Sequence, residues 1–212
     1  MQSFIIVVGA ALIGLIAYTV WGMIRLQTAT SGAVIDRAGR PGEALVIIDV
    51  QQDFTSEKTY PKQAVEAALA RINALAAKAH GQGMPVINVR HVFKGPYVNF
   101  LVRLMSGGRG GARSSGLGTD PRLQLEPTAE FVKHRGDAFS NPALDRWLDA
   151  QHIGKLVIVG LDGNACVKST ADGALNRGYQ VEIIEPAVLS YSAPSWDKQK
   201  TRLATRGAAF AA

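Results

Sequence analysis

The sequence predicts an α/β protein: a three-layer α/β/α domain with a mostly parallel, Rossmann-like sheet of about six strands, preceded by one transmembrane helix. The alternation of short apolar runs with longer amphipathic segments from Ala44 onward is the pattern of βαβ units. Residues 4–24 carry no charge, and a helix needs roughly 20 such residues to cross a bilayer. With 47% hydrophobic and 19% charged residues among 212, the chain can bury a sizeable core, which excludes disorder over most of its length.

The N-terminal run FIIVVGAALIGLIAYTVWGMI lacks the polar face of a core helix. Tyr18 and Trp21 lie near one end, as an interfacial aromatic belt would place them. No Lys or Arg precedes the run, and it is longer than a signal-peptide core, so residues 1–24 read as a retained anchor. Arg25, Arg37 and Arg40 follow it, and the positive-inside rule then puts the rest of a single-pass chain in the cytoplasm. Residues 25–42 read as a linker and residues 43–212 as the globular domain.

ALVIID (44–49) reads as a buried strand, and Pro61 to His80 as a helix. In that helix Val65, Leu69, Ile72, Leu75 and Ala76 share one face, and the Gly81/Gly83 pair ends it. PVINVR (85–90) and AEFVK (129–133) are the next strands. Asn141 caps a helix that starts at Pro142 and runs to about Gln151. KLVIVG (155–160) is a strand, and a helix from about Ala165 to Arg177 stops at Gly178. QVEII (180–184), a helix over Ser195–Thr205 and a short strand at Ala208–Ala211 complete the series. Residues 94–122 are too long for an ordinary connection and rich in glycine. They read as a functional loop or a mobile one, in which YVNFLVRLM (97–105) can form a short helix. From Arg90 to Arg122 there are six Lys or Arg against one acid, Asp120.

The formal net charge of +6 favours anionic partners in general. No basic-aromatic recognition motif accompanies it, so no nucleic-acid partner is expected. Cys166 is the single cysteine, so it has no internal disulfide partner. That suits a reducing compartment and leaves a free thiol.

In open parallel sheets, ligands bind at the carboxyl ends of the strands. Asp49 and Lys133 fall at such ends, and Cys166 lies just past another, near the start of a helix. Each alone has an ordinary structural reading as a loop cap, a solvated charge or a packed thiol. Together they form a coherent nucleophilic site. A lysine ammonium and a helix N-terminus would lower the thiol pKa. The carboxylate would take the thiol proton and return it to a leaving amine. Such a site suits hydrolysis of a small amide, or a related C–N bond, through a thioester.

ALVIIDVQQDF (44–54), EFVKHRGDAFSNPALDRWL (130–148) and VIVGLDGNACVKSTADGALNRGYQVEIIEPAV (157–188) resemble, in order, the three motifs of the isochorismatase-like cysteine hydrolases. The resemblance covers roughly residues 43–212. It implies a hydrolase triad with Cys166 as nucleophile, Asp49 as general base and Lys133 as the orienting cation. It also implies a cis peptide before Asp162, with the Asp162 and Cys166 N–H groups as oxyanion hole. Phe54, His91 and Leu161 would line the substrate pocket, Asp53 would be structural, and a homo-oligomer is expected. The expected partners are thus a small-molecule substrate and, through the N-terminal helix, a membrane.

Two departures from the family pattern bear on chemistry. Nicotinamidases of this family hold a metal through an Asp-x-His pair after the second strand. Here that stretch reads NVRHVFKGPY, in which His91 has no partner carboxylate, so neither a catalytic metal nor any other cofactor is expected. Asp162 stands where the family has a small residue or threonine. Facing the pocket it would oppose an anionic substrate; pointing away it would cap the loop. The alternatives to amide hydrolysis are vinyl ether hydrolysis of the isochorismatase type and a non-catalytic binding or scaffold role on the same fold.

Overall fold

The computed structural model describes residues 2–56 and 59–212; for residues 2–8, 10–12 and 23 it describes the backbone only. In chain order the elements are α1 (Gln2–Gln27), β1 (Gly42–Ile48), α2 (Lys62–Gly81), β2 (Val86–His91), α3 (Pro96–Ser106), β3 (Ala129–Lys133), α4 (Pro142–Ala150), β4 (Ile153–Leu161), α5 (Lys168–Asn176), β5 (Gln180–Leu189), α6 (Ala193–Thr205) and β6 (Ala209–Ala211).

The six strands form one sheet in the order β3-β2-β1-β4-β5-β6. Every neighbouring pair is parallel. The chain starts at the centre, builds outward to β3, then returns to β4 beside β1 and builds the other half. The strand order therefore reverses between β1 and β4, and a crevice opens at their carboxyl ends, where ligands bind in sheets of this kind.

The period-2 alternation of a strand explains how β1 serves two cores at once. Ala44, Val46 and Ile48 face the core shared with Leu144, Leu148, Val167 and Leu203. Leu45 and Ile47 face the opposite core, filled by Val65, Leu69 and Ile72 of α2. Because both faces are covered, the strand reads as one continuous apolar run. β1 and β4 approach closely at Gly160 (φ 113°), where a Cβ would lie 2.2 Å from the Ile48 carbonyl oxygen. Only glycine fits there.

The N-terminal run is helical, but the membrane span expected for residues 4–24 is not supported. Among the described residues no helix is long and apolar enough to cross a membrane. The part of that expectation that rests on the side chains of residues 4–8, 10–12 and 23 lies outside the described residues. The single-pass and cytoplasmic placement inferred from that span loses its support with it.

The C-terminal end of α1 is instead stitched to the domain. The Gly136 amide donates to the Leu26 carbonyl (2.8 Å) and the Ser169 hydroxyl to the Gln27 carbonyl (2.8 Å). The Arg135 guanidinium donates to the carbonyls of Arg25 (2.8 Å) and Thr28 (3.1 Å). Residues beyond the helix are held in the same way: the Thr30 amide and hydroxyl both donate to Asp137 (2.6 Å each).

Candidate active site

The chain leaves β1 through Asp49 in the left-handed conformation (φ 56°), which an aspartate adopts at modest cost. Lys133 is the last residue of β3 and His91 the last of β2. Adjacent parallel strands thus deliver an aspartate, a histidine and a lysine to one end of the sheet. All three are buried.

The Lys133 ammonium has three N–H groups and finds three acceptors. They are Asp49 Oδ2 (2.8 Å), His91 Nδ1 (2.9 Å) and the Arg135 carbonyl (3.2 Å). Burial pulls the lysine pKa down, but Asp49 and the Cys166 sulfur outweigh it, so the ammonium stands above the ordinary lysine value. Burial pushes the Asp49 carboxyl up, with Lys133 opposing it. Burial also pushes His91 well below its ordinary value, and Lys133 adds to the effect. A neutral His91 that accepts at Nδ1 carries its proton on Nε2, an atom that is buried with no hydrogen-bond partner.

Cys166 sits in a single π-helical turn, Gly163–Val167, that joins β4 to α5. Such turns recur at functional sites. Its Sγ lies 4.0 Å from His91 Nδ1. Asp49 Oδ1, the carboxylate oxygen that Lys133 leaves free, is buried without a partner. The structure thus brings Asp49, Lys133, Cys166 and His91 together, with Phe54 and Leu161 on the same cavity wall.

One electrostatic expectation fails. The thiol pKa is not lowered: burial, then the Asp49 charge, pushes it up to about 12, and Lys133 offsets only part of this. Lys133 is already bound to Asp49 and His91, so its field reaches the sulfur alongside that of a carboxylate.

The peptide bond between Leu161 and Asp162 is cis. The Asp162 side chain caps its own loop. It accepts from the Asn164 amide (2.7 Å), the Tyr191 amide (2.7 Å) and the Tyr60 hydroxyl (2.9 Å). These three donors account for an aspartate at a position where a small residue would serve.

Two features escaped the sequence. Gln51 is fully buried and brackets His91, its Oε1 accepting from the His91 amide (2.5 Å) and its Nε2 donating to the His91 carbonyl (3.1 Å). Nothing local to VQQDF separates Gln51 from Gln52. The glycine-rich loop, in turn, is anchored rather than free. The Gly110 amide donates to Asp53 Oδ2 (2.6 Å), the Asp53 amide to the Gly116 carbonyl (3.0 Å), and the Arg109 guanidinium to Thr59 (2.9 Å). Asp53 therefore holds a loop, and that loop sets α3 over the crevice. The i, i+4 series Tyr97, Leu101, Met105 was the available signal.

Donor atoms of Asp49, His91 and Cys166 lie within 4.8 Å of one another and could hold a metal ion. They fit one poorly. The Lys133 ammonium already contacts two of the three donors, and a metal would have to displace that cation and take the thiol as a ligand.

Comparison with known proteins agrees with this arrangement. A family model described as the isochorismatase domain matches residues 43–212. An uncharacterized isochorismatase family protein of Bacillus subtilis, YddQ, is 24% identical over 156 residues, covering 73% of this chain and 82% of that protein. The ureidoacrylate amidohydrolase RutB of Acinetobacter baylyi is 29% identical, covering 60% of this chain and 62% of its own length. The crystal structure of N-carbamoylsarcosine amidase from Thermoplasma acidophilum superposes with a TM-score of 0.68 at 25% identity, over 80% of this chain and 95% of that one. A motif order read from the sequence, a fold that superposes on a solved amidase and a family model covering most of the chain thus converge, and the chain belongs to the isochorismatase-like hydrolase superfamily.

Proposed function

We propose that this protein is a cysteine hydrolase that cleaves a small amide, or a related C–N bond, through a thioester. The observation that carries the reading is the convergence of Cys166, Asp49 and Lys133 at the carboxyl ends of β4, β1 and β3, around His91 at the end of β2, with Lys133 fully bonded and one Asp49 oxygen left free. The amide substrates named for the relatives RutB and N-carbamoylsarcosine amidase support the same bond type.

The thiol, with a pKa raised to about 12, is protonated at neutral pH. Asp49 takes its proton as sulfur attacks the carbonyl carbon, so thiolate forms only together with the new C–S bond. Lys133 holds the aspartate ionised and oriented for that step. The Asp162 and Cys166 N–H groups stabilise the tetrahedral oxyanion. On collapse the C–N bond breaks, and Asp49 passes its proton to the leaving nitrogen. Water then gives a proton to Asp49 and its oxygen to the acyl carbon. The C–S bond breaks, the thiol is reprotonated, and a carboxylic acid leaves. The Asp162 side chain, committed to donors from Tyr60, Asn164 and Tyr191, orients the turn while only the backbone N–H of this residue meets the oxyanion.

The test is to incubate the full chain with a panel of primary amides and N-carbamoyl compounds, then to measure amine or ammonia release and the mass of the Cys166 peptide. Turnover, an acyl adduct on Cys166 under quench, and loss of at least about a thousandfold in Cys166→Ala are expected. Undiminished turnover in Cys166→Ala overturns the reading, as does failure of every C–N substrate.

A further inference from the structure

The cavity above Cys166 has a volume of about 750 Å³, within the range of sites that enclose a drug-sized ligand. A bare carboxamide leaves most of it unfilled. The cavity extends away from Asp49 and Cys166 into the space between α1 and α3. Tyr18 and Trp21 line it from α1; Tyr97, Leu101, Val102 and Met105 line it from α3. Both helices lie at the crevice mouth, and α1 lies outside residues 43–212, which the family model covers.

The two walls are joined. The Tyr18 and Tyr97 ring centroids are 5.6 Å apart, and the Thr19 and Tyr97 hydroxyls share a hydrogen bond. The bonds from the Gly136 amide and the Arg135 guanidinium to carbonyls in the last turn of α1 fix the first wall, and the loop from Gly107 to Gly116, bonded to Asp53, fixes the second. This is a held apolar channel continuous with the nucleophile.

We propose that the substrate is a lipophilic amide, whose apolar arm lies between α1 and α3 while its C–N bond sits at Cys166. This rests on the reading of Cys166 as the nucleophile. A polar substrate of carboxamide size would leave the rings and aliphatic side chains of both walls in water. An arm that fills the channel buries them, and each methylene so buried is worth about three- to fourfold in affinity.

The test uses N-ethyl, N-butyl, N-hexyl and N-octyl iodoacetamide on the full chain. Cys166 alkylation is followed by mass spectrometry, and each rate is divided by that for free cysteine. The normalised rate is expected to climb at least about tenfold from the ethyl to the hexyl reagent and to level off once the channel is full. Leu101→Asp is expected to compress the hexyl-to-ethyl ratio to within about threefold. A flat series in the unmodified protein overturns the inference, as does a ratio unchanged in Leu101→Asp. The outcome is separable from that of the catalytic reading. Rates that rise with chain length while no amide is hydrolysed sink the hydrolase and keep the channel. Amide turnover with a flat series does the reverse.

Discussion

The floor and the walls of the cavity are built on opposite principles. The floor is polar and buried, at the ends of central strands, and its charges are held by direct partners: Lys133 by Asp49, His91 and a carbonyl. The walls are apolar and partly exposed. They sit on two helices outside the sheet, joined by a ring contact and a bond between two hydroxyls. Displacement of a floor group leaves a buried charge without its counterion. Displacement of a wall group mainly opens space to water. On the proposed reading, reaction chemistry belongs to the part that tolerates no change, and choice of substrate to the part that can vary.

That contrast is testable, and the largest effect is expected at the floor. Lys133→Met leaves the Asp49 carboxylate buried and unpaired, and a loss of about 3–5 kcal/mol in unfolding free energy is expected from denaturant titration. The double variant Asp49→Asn/Lys133→Met removes both charges and should recover most of that stability while remaining inactive. Equal destabilisation in the single and double variants would show that the ion pair is not what the floor depends on.

A second effect concerns the thiol. Because burial and Asp49 raise its pKa to about 12, the thiolate fraction grows about tenfold per pH unit across the neutral range. Iodoacetamide alkylation of Cys166 should climb in that way from pH 6 to 9 with no plateau. A plateau near pH 7 would mean that Lys133 controls the sulfur after all.

A more modest change is expected from acid. Burial pushes the Asp120 carboxyl up, but its bonds from Arg122 and Thr55 prevail and hold it below the ordinary 3.8. Its stabilisation is present above that pH and is lost as pH falls through the lower folded value. Asp120→Asn should therefore reduce stability near pH 7 and flatten the fall in melting temperature below about pH 4.

The smallest effect is expected at the walls. Tyr97→Phe removes the hydroxyl that meets Thr19, worth about 1 kcal/mol or less. Hydrogen exchange in α1 should speed up by up to about fivefold with little change in the global unfolding midpoint. A large shift in that midpoint would make the wall part of the core.

The floor was far more legible in the sequence than the walls. Asp49, Lys133 and Cys166 could be placed because each stands at a fixed offset from an apolar run that forms a strand. Gln51 could not be distinguished from Gln52, since its role is to bracket His91 40 residues away. The apolar run at the N-terminus predicts a membrane span because hydropathy records that a face must be covered and not what covers it. In the folded chain, Tyr18 and Trp21 from that run line the cavity instead.

Local pattern alone determined the α/β class, the order of the strands along the chain and the three polar residues at their ends. Periodicity and turn chemistry act over a few residues, and those features are set at that range. Only the tertiary structure decided the direction of the thiol pKa, the three donors that hold the Asp162 side chain and the meeting of α1 with α3. Each depends on desolvation or contact between groups far apart in sequence: Asp49 and Lys133 are 84 residues apart, Thr19 and Tyr97 are 78. No local pattern encodes the field or the neighbour that such a pairing creates.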